Sequence, residues 1–245
     1  MDDMTNLGPR VIIWFDEGPL AGLRITETVI WAVIVSIFLI VLAICATKEL
    51  KRYPRGAQAF AEFIVDLVYT FVRNTMGKHN MSFAPFIGTL FLFLVISNAM
   101  GLLSLRPVTA DMNTTFALAF TVFFLIQFNA IKSGGIKHYL KTFADPFPLL
   151  IPSNIIGELT FPISLSFRLF GNMMAGVILS ALVFNALGQL SVGVLHLPLP
   201  FLQIGIPLPI NLFFDVFIAL IQSLVFSMLT MVFISKAIVV KNAKA

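Results

Sequence analysis

Charge is what this chain lacks most. Of 245 residues, 16 are Lys or Arg and 12 are Asp or Glu, 11% in all, under half the roughly 25% of a soluble domain. Disorder needs low hydrophobicity, and a soluble globule needs a charged surface, so both are excluded. Cysteine is almost absent: Cys45 stands alone in an apolar run, which excludes a disulfide framework and a cysteine-based metal centre. His79, His138 and His196 lie far apart, no His/Cys/Glu group has ligand spacing, and no metal is expected. Neither a G-x-x-x-x-G-K-S/T loop nor a G-x-G-x-x-G after a strand occurs, so no cofactor is expected either. What remains is apolar: 58% hydrophobic residues with 26 Phe and a mean hydropathy of +0.96. The chain reads as an integral membrane protein of the all-α class. Its net charge of +4 is not a nucleic-acid footprint, because the basic residues sit in short loops between apolar runs. In a membrane chain such residues report orientation.

Residues 1–25 form an acidic N-terminal segment, unlike the basic start of a secretory signal. Residues 28–47 make a first span of the roughly 20 apolar residues a bilayer requires, with Glu27 as the last charge before it. Lys48, Lys51, Arg52 and Arg55 then mark a cytoplasmic loop, which puts the N-terminus outside. In 57–77, Phe60, Phe63, Ile64, Leu67, Val68 and Phe71 follow helical spacing, while Glu62, Asp66, Arg73 and Asn74 take the other face. That segment reads as an amphipathic helix on the cytoplasmic interface, or as a short helix buried against other subunits. Spans at 83–105 (with Ser97, Asn98 and Ser104) and 114–131 flank an outer loop holding Arg106, Pro107 and Asp111. Lys132, Lys137, His138 and Lys141 form the second basic loop. Residues 153–190 and 210–240 are longer than a perpendicular span and must tilt or bend; a Pro-rich hairpin, 191–209, joins them. Lys236, Lys241 and Lys244 put the C-terminus inside. The expected fold has five membrane passes, two of them long tilted helices, and one interfacial helix, with no internal repeat and no water-soluble domain.

The chemistry must then lie in polar groups within the membrane. Arg168 stands out: an arginine near a helix centre costs about 2.5–3.5 kcal/mol on insertion scales and is functional by default. Asn172 lies one turn further on the same face. Snorkelling to a headgroup would be the plain alternative, but Arg168 is far from both ends of its segment. Glu158, near the start of that segment, fits either an ion path or a helix N-terminus. Asp215 and Gln222 are seven residues apart and so share a face. Asp215 could hold a mobile proton or lie at the outer interface; Gln222 could line the same path or only hydrogen-bond between helices.

Four stretches carry a resemblance. Ser164–Gly176 (SLSFRLFGNMMAG), the segment IQSLVFSMLTMVFIS around Gln222, Ile96–Leu103 (ISNAMGLL) and Ala110–Ala119 (ADMNTTFALA) resemble subunit a of the F-type ATP synthase, across nearly the whole chain from the first span onward. The resemblance implies a stator ion channel with two half-channels, set against a ring of c subunits and held by peripheral-stalk b subunits, in the cell membrane. It implies that Arg168 faces the c-ring carboxylate as an electrostatic gate, with Asn172 and Gln222 as polar neighbours. Glu158 would lie on the cytoplasmic half-channel and Asp215 on the outer one. Apart from the resemblance, Asn98 and Ser97 are the polar groups an outer path would pass if it ran elsewhere than Asp215. The ion is H+ or Na+, since its ligands belong mainly to the c subunit. In one respect the pattern departs: many relatives have an acid nine residues after the arginine and a histidine seven before the glutamine, where this chain has Val177 and Asp215. The competing readings are a secondary transporter with Arg168 binding an anionic substrate, and a structural scaffold. The transporter lacks the expected repeat and paired broken helices; the scaffold leaves Arg168 and Asp215 without a reason to be buried.

Overall fold

Five stretches of this chain can satisfy their backbone in hydrocarbon only by coiling, and five helices result. The computed structural model describes residues 11–14, 24–48, 53, 56–103, 105–144, 147–191 and 207–239. Among them, five helices are long and apolar enough to cross a membrane, and the fold is the all-α membrane type. Helix α1 is Glu27–Thr47, so Glu27 is its first residue rather than the last one before it. Next come α2, Ala57–Met76, and α3, Ala84–Ala99, the latter entered and left through 3-10 turns. Helix α4 is Met112–Gly134 and α5 is the short Ile136–Ala144. The two long helices are α6, Ile151–Gln189, and α7, Pro207–Val239. Strands β1 (Val11–Trp14) and β2 (Arg24–Thr26) pair antiparallel ahead of α1; the sequence offered no reading of that hairpin.

Several expectations fall outside the described residues. These are most of the acidic N-terminal segment (1–10 and 15–23), most of the Pro-rich hairpin (192–206), Ser104, the basic residues Lys51, Arg52, Arg55, Lys241 and Lys244, and the side chains of His138 and Asp215.

Helix α1 is apolar nearly all round and buries only Thr28 and Val35, as befits a helix with lipid for solvent. The core forms where α2, α3, α4, α6 and α7 meet, around Val72, Ile87, Leu94, Val122, Leu169 and Phe226. Close approach of α2 and α3 depends on Gly88, where an added Cβ would stand 3.1 Å from a Val68 methyl. Helices α2 and α4 end on Gly77 and Gly135 with φ of 79° and 76°, values that favour glycine. Their N–H groups cap Arg73 and Ile131 carbonyls at 3.0 and 2.8 Å. Asp111, placed by its sequence in an outer loop, is only 4% exposed. It is the N-cap of α4: Oδ1 accepts from Asn113 N at 3.0 Å, and Oδ2 accepts from the Thr28 hydroxyl at 2.6 Å. A carboxylate suits that end of a helix, and the Thr28 bond ties α1 to α4.

Helices α6 and α7 run antiparallel. Phe161 meets Phe233, Asn172 meets Gln222, and Leu179 lines one cavity with Phe217. This register sets the level of every polar group discussed below.

Candidate functional site

The outward face of α6 is built by its own spacing. Leu165, Ser166, Leu169 and Met173 are buried, while Ser164, Phe167, Arg168, Gly171, Asn172 and Ala175 are exposed. Arg168 is therefore presented away from the core, on a strip with several small neighbours. No hydrogen bond or ion pair joins it to another described residue. Behind it, the Ser166 hydroxyl is 2.9 Å from that of Thr115 on α4, and Phe116 sets its ring edge-on to Phe167. These contacts fix the turn that carries the arginine.

One turn along, Asn172 Nδ2 donates to Gln222 Oε1 at 2.6 Å. Two residues singled out separately in the sequence thus meet across α6 and α7. Gln222 is 3% exposed, and its Nε2 has no partner among the described residues. Above the pair lies a cavity of about 270 Å³ lined by Ala175, Gly176, Leu179, Phe217 and Ile218. Val177 continues the stripe of Leu169 and Met173 and yet is 49% exposed. Asp215 stands on α7 two turns from Gln222, and only its backbone is described.

Towards the other end of α6, Glu158 is half-buried. It lies two turns into the helix, whose N-cap is Leu150, so a capping role is excluded. Glu158 Oε1 accepts from Gln127 Nε2 at 2.7 Å, and Gln127 Oε1 accepts from the Tyr139 hydroxyl at 2.6 Å. All but Gln127 of this relay line a cavity of about 480 Å³ that Asn154, Thr142 and Lys236 also line. Lys236 Nζ stands 5.5 Å from the Phe233 ring centroid, within cation–π range. Burial, and secondly the charge of Glu158, push the Tyr139 phenol above its ordinary value of 10.0; it stays a donor through the neutral range.

A third polar group sits on α3. Asn98 Oδ1 accepts from the Thr109 hydroxyl, whereas Asn98 Nδ2 and the Ser97 hydroxyl are buried without a partner among the described residues. So is the Ser227 hydroxyl of α7. Buried polar groups are nearly always satisfied, by protein or by water, so these positions suit a hydrated path. Among the described residues no group of His, Cys, Asp and Glu could hold a metal.

Sequence reasoning did not single out Gln127, Tyr139 or Thr115. Gln127 carried a readable signal, an amide (with Asn129 beside it) in the apolar run of α4, the kind of signal that marked Gln222.

The sequence matches the family model described as "ATP synthase A chain" over residues 28–235. ATP synthase subunit a of Trichlorobacter lovleyi is 41% identical over 209 residues, 83% of each chain. A protein named "ATP synthase subunit a, sodium ion specific", from Propionigenium modestum, is 35% identical over 233 residues, 89% of this chain and 75% of that one. ATP synthase subunit a of Moorella thermoacetica is 34% identical over 233 residues, 95% of this chain and 97% of that one.

Proposed function

The chain belongs to the ATP synthase A chain family, the stator ion channel of the F-type ATP synthase, and from that premise we propose that it passes ions through two half-channels gated by Arg168. One observation carries the reading: an arginine with no hydrogen bond or ion pair to another described residue, on the outward face of an apolar helix, midway between two polar ends. Glu158 precedes it by ten residues, about 15 Å along the axis. Asn172 follows it by four and bonds to Gln222, and Asp215 lies seven residues beyond Gln222 on antiparallel α7, about 16.5 Å in the other direction. The hydrocarbon core is about 30 Å thick, so Arg168 falls near its middle.

A ring carboxylate crosses lipid only when neutral and must ionise briefly to exchange its ion. The guanidinium, protonated at every relevant pH, favours the ionised form. It also repels a cation that would cross without turning the ring. Glu158 and its cavity would serve the cytoplasmic half-channel. Asp215, with Ser97 and Asn98 as neighbours in the same half, would serve the outer one. The small residues Ser164, Gly171 and Ala175 around Arg168 support close approach of a partner helix. The ion is H+ or Na+, and one relative at 35% identity is named for sodium. The proposed partners are the c-subunit ring and the peripheral-stalk b subunits. Purification of the tagged chain tests the assignment: a small, highly apolar ring-forming subunit should come with it. A lone chain that transports an anion would favour a transporter instead.

Orientation is proposed from charge. The loops at 48–55 and 132–141 and the C-terminus lie inside, the N-terminus and the 106–113 turn outside, with α2 along the inner interface. A cysteine placed at Lys137, exposed on α5, should resist a membrane-impermeant thiol reagent in intact cells and react in inverted vesicles. Labelling from outside would overturn this topology.

A further inference from the structure

We propose that Tyr139 is a positioning residue for Glu158, acting through Gln127, so that the short helix α5 sets how strongly Glu158 holds an ion. This rests on the reading that Glu158 lines an ion path. The relay joins three elements, with Tyr139 on α5, Gln127 on α4 and Glu158 on α6, and each link has a direction. The Tyr139 hydroxyl donates to Gln127 Oε1 at 2.6 Å, which leaves the amide NH2 to donate to Glu158 Oε1 at 2.7 Å. An amide can present either end, its carbonyl or its NH2. Because the Tyr139 hydroxyl donates here, it occupies the carbonyl and leaves the NH2 aimed at Glu158. A carboxyl group that meets a donor favours its ionised form. Without the phenol the amide is free to turn its carbonyl towards Glu158, which favours the protonated form.

Helix α5 is fixed well enough to perform this. Gly135 turns the chain between α4 and α5, Asn154 Nδ2 donates to the Phe143 carbonyl at 2.9 Å, and the Tyr139 ring stands edge-on to Phe143 at 5.0 Å. The ends of α5 and α6 are thereby tied together beside the cavity. Among the described residues, the titratable groups lining that cavity are Glu158 itself, Tyr139 from α5 and Lys236 from α7, with none from α4. Lys236 is common to every variant below and cancels in the comparison.

The test uses inverted vesicles carrying the assembled complex, with pH varied on the face that bears α5. Ion-driven ATP synthesis is expressed as the ratio of variant to wild type, which removes the pH dependence of the catalytic head. Tyr139→Phe should move the acidic limb up by about 0.5–1 pH unit, the size of one ordinary neutral hydrogen bond. Gln127→Leu cuts the same relay from α4 and should shift the limb likewise. In a Glu158→Asp background, one methylene too short to keep the Gln127 bond, neither change should shift it further. A loss uniform across pH, or a shift that persists with Asp at 158, overturns the proposal. Arg168→Ala in the same vesicles separates the two levels. Full synthesis there refutes the gate itself, and a Glu158→Gln of wild-type pH profile refutes the Glu158 path on which this inference rests. A Glu158→Gln that alters the profile beside a Tyr139→Phe that does not refutes only this inference.

Discussion

Arg168→Ala and Arg168→Gln are each expected to abolish ion-driven ATP synthesis while the complex still assembles. Assembly should survive because Arg168 has no hydrogen bond or ion pair with another described residue. Its removal leaves no buried partner unsatisfied, and it relieves the cost of a charge in an apolar setting, about 2.5–3.5 kcal/mol on insertion scales. The chemistry should fail for an equally direct reason. An opposite charge within hydrogen-bonding range lowers a carboxyl pKa by about 1–3 units. Without it the ionised ring carboxylate becomes about 10- to 1000-fold rarer, and each step of the ring must pass through that form. Lysine should rescue only in part, since a compact ammonium deprotonates when buried and lacks the planar fork that can follow a moving carboxylate. The measurement is synthesis driven by an imposed ion gradient, with variants matched for assembled complex. Wild-type rates for Arg168→Ala would refute the gate.

The parts of this molecule that were readable from sequence share one cause. Lipid punishes a polar backbone and a lone charge, so apolar runs of about 20 residues announce spans, and Arg168, Asn172 and Gln222 announce themselves within them. Helix ends were less legible because they depend on single residues. Asp111 caps α4 and Gly135 closes it, so that helix outruns the apolar stretch 114–131. Helix α5 was masked by its own lysines: Ile136, Tyr139, Leu140 and Phe143 have helical spacing, but charge counting assigned the segment to a loop. Pairings were illegible in principle. Asn172 and Gln222 are separated by 50 residues, and Glu158 and Gln127 by 31; only the antiparallel register of α6 and α7, and the packing of α4 on α6, brings each pair together.

The departure at Val177 sets up the second large effect, on the proposed outer half-channel. Asp215→Asn keeps the shape of the side chain and removes its charge and its exchangeable proton. Register supports the role. With Asn172 bonded to Gln222, Val177 stands five residues beyond the pair on α6 and Asp215 seven beyond it on α7, about 7.5 and 10.5 Å along antiparallel axes. The two positions therefore share a level, at the end of the helix pair away from Glu158. Nine residues at 100° each also turn Val177 to the opposite side of α6 from Arg168, away from the proposed ring-facing strip. An acid at either position would thus serve a path reaching Arg168 from within the subunit. Asp215→Asn is expected to slow synthesis about 100-fold or more, since a positioned proton-transfer group typically contributes about 100- to 10,000-fold. Gln222→Leu removes one hydrogen bond of about 0.5–1.5 kcal/mol and should cost about two- to tenfold. Val177→Glu in the Asp215→Asn background should restore part of the flux, because its carboxylate returns a titratable group to the same level. Gradient-driven ATP synthesis at matched assembly reads all three. Near-normal rates for Asp215→Asn would move the outer path to α3, where the unpartnered Ser97 hydroxyl and Asn98 amide are the next groups able to carry it.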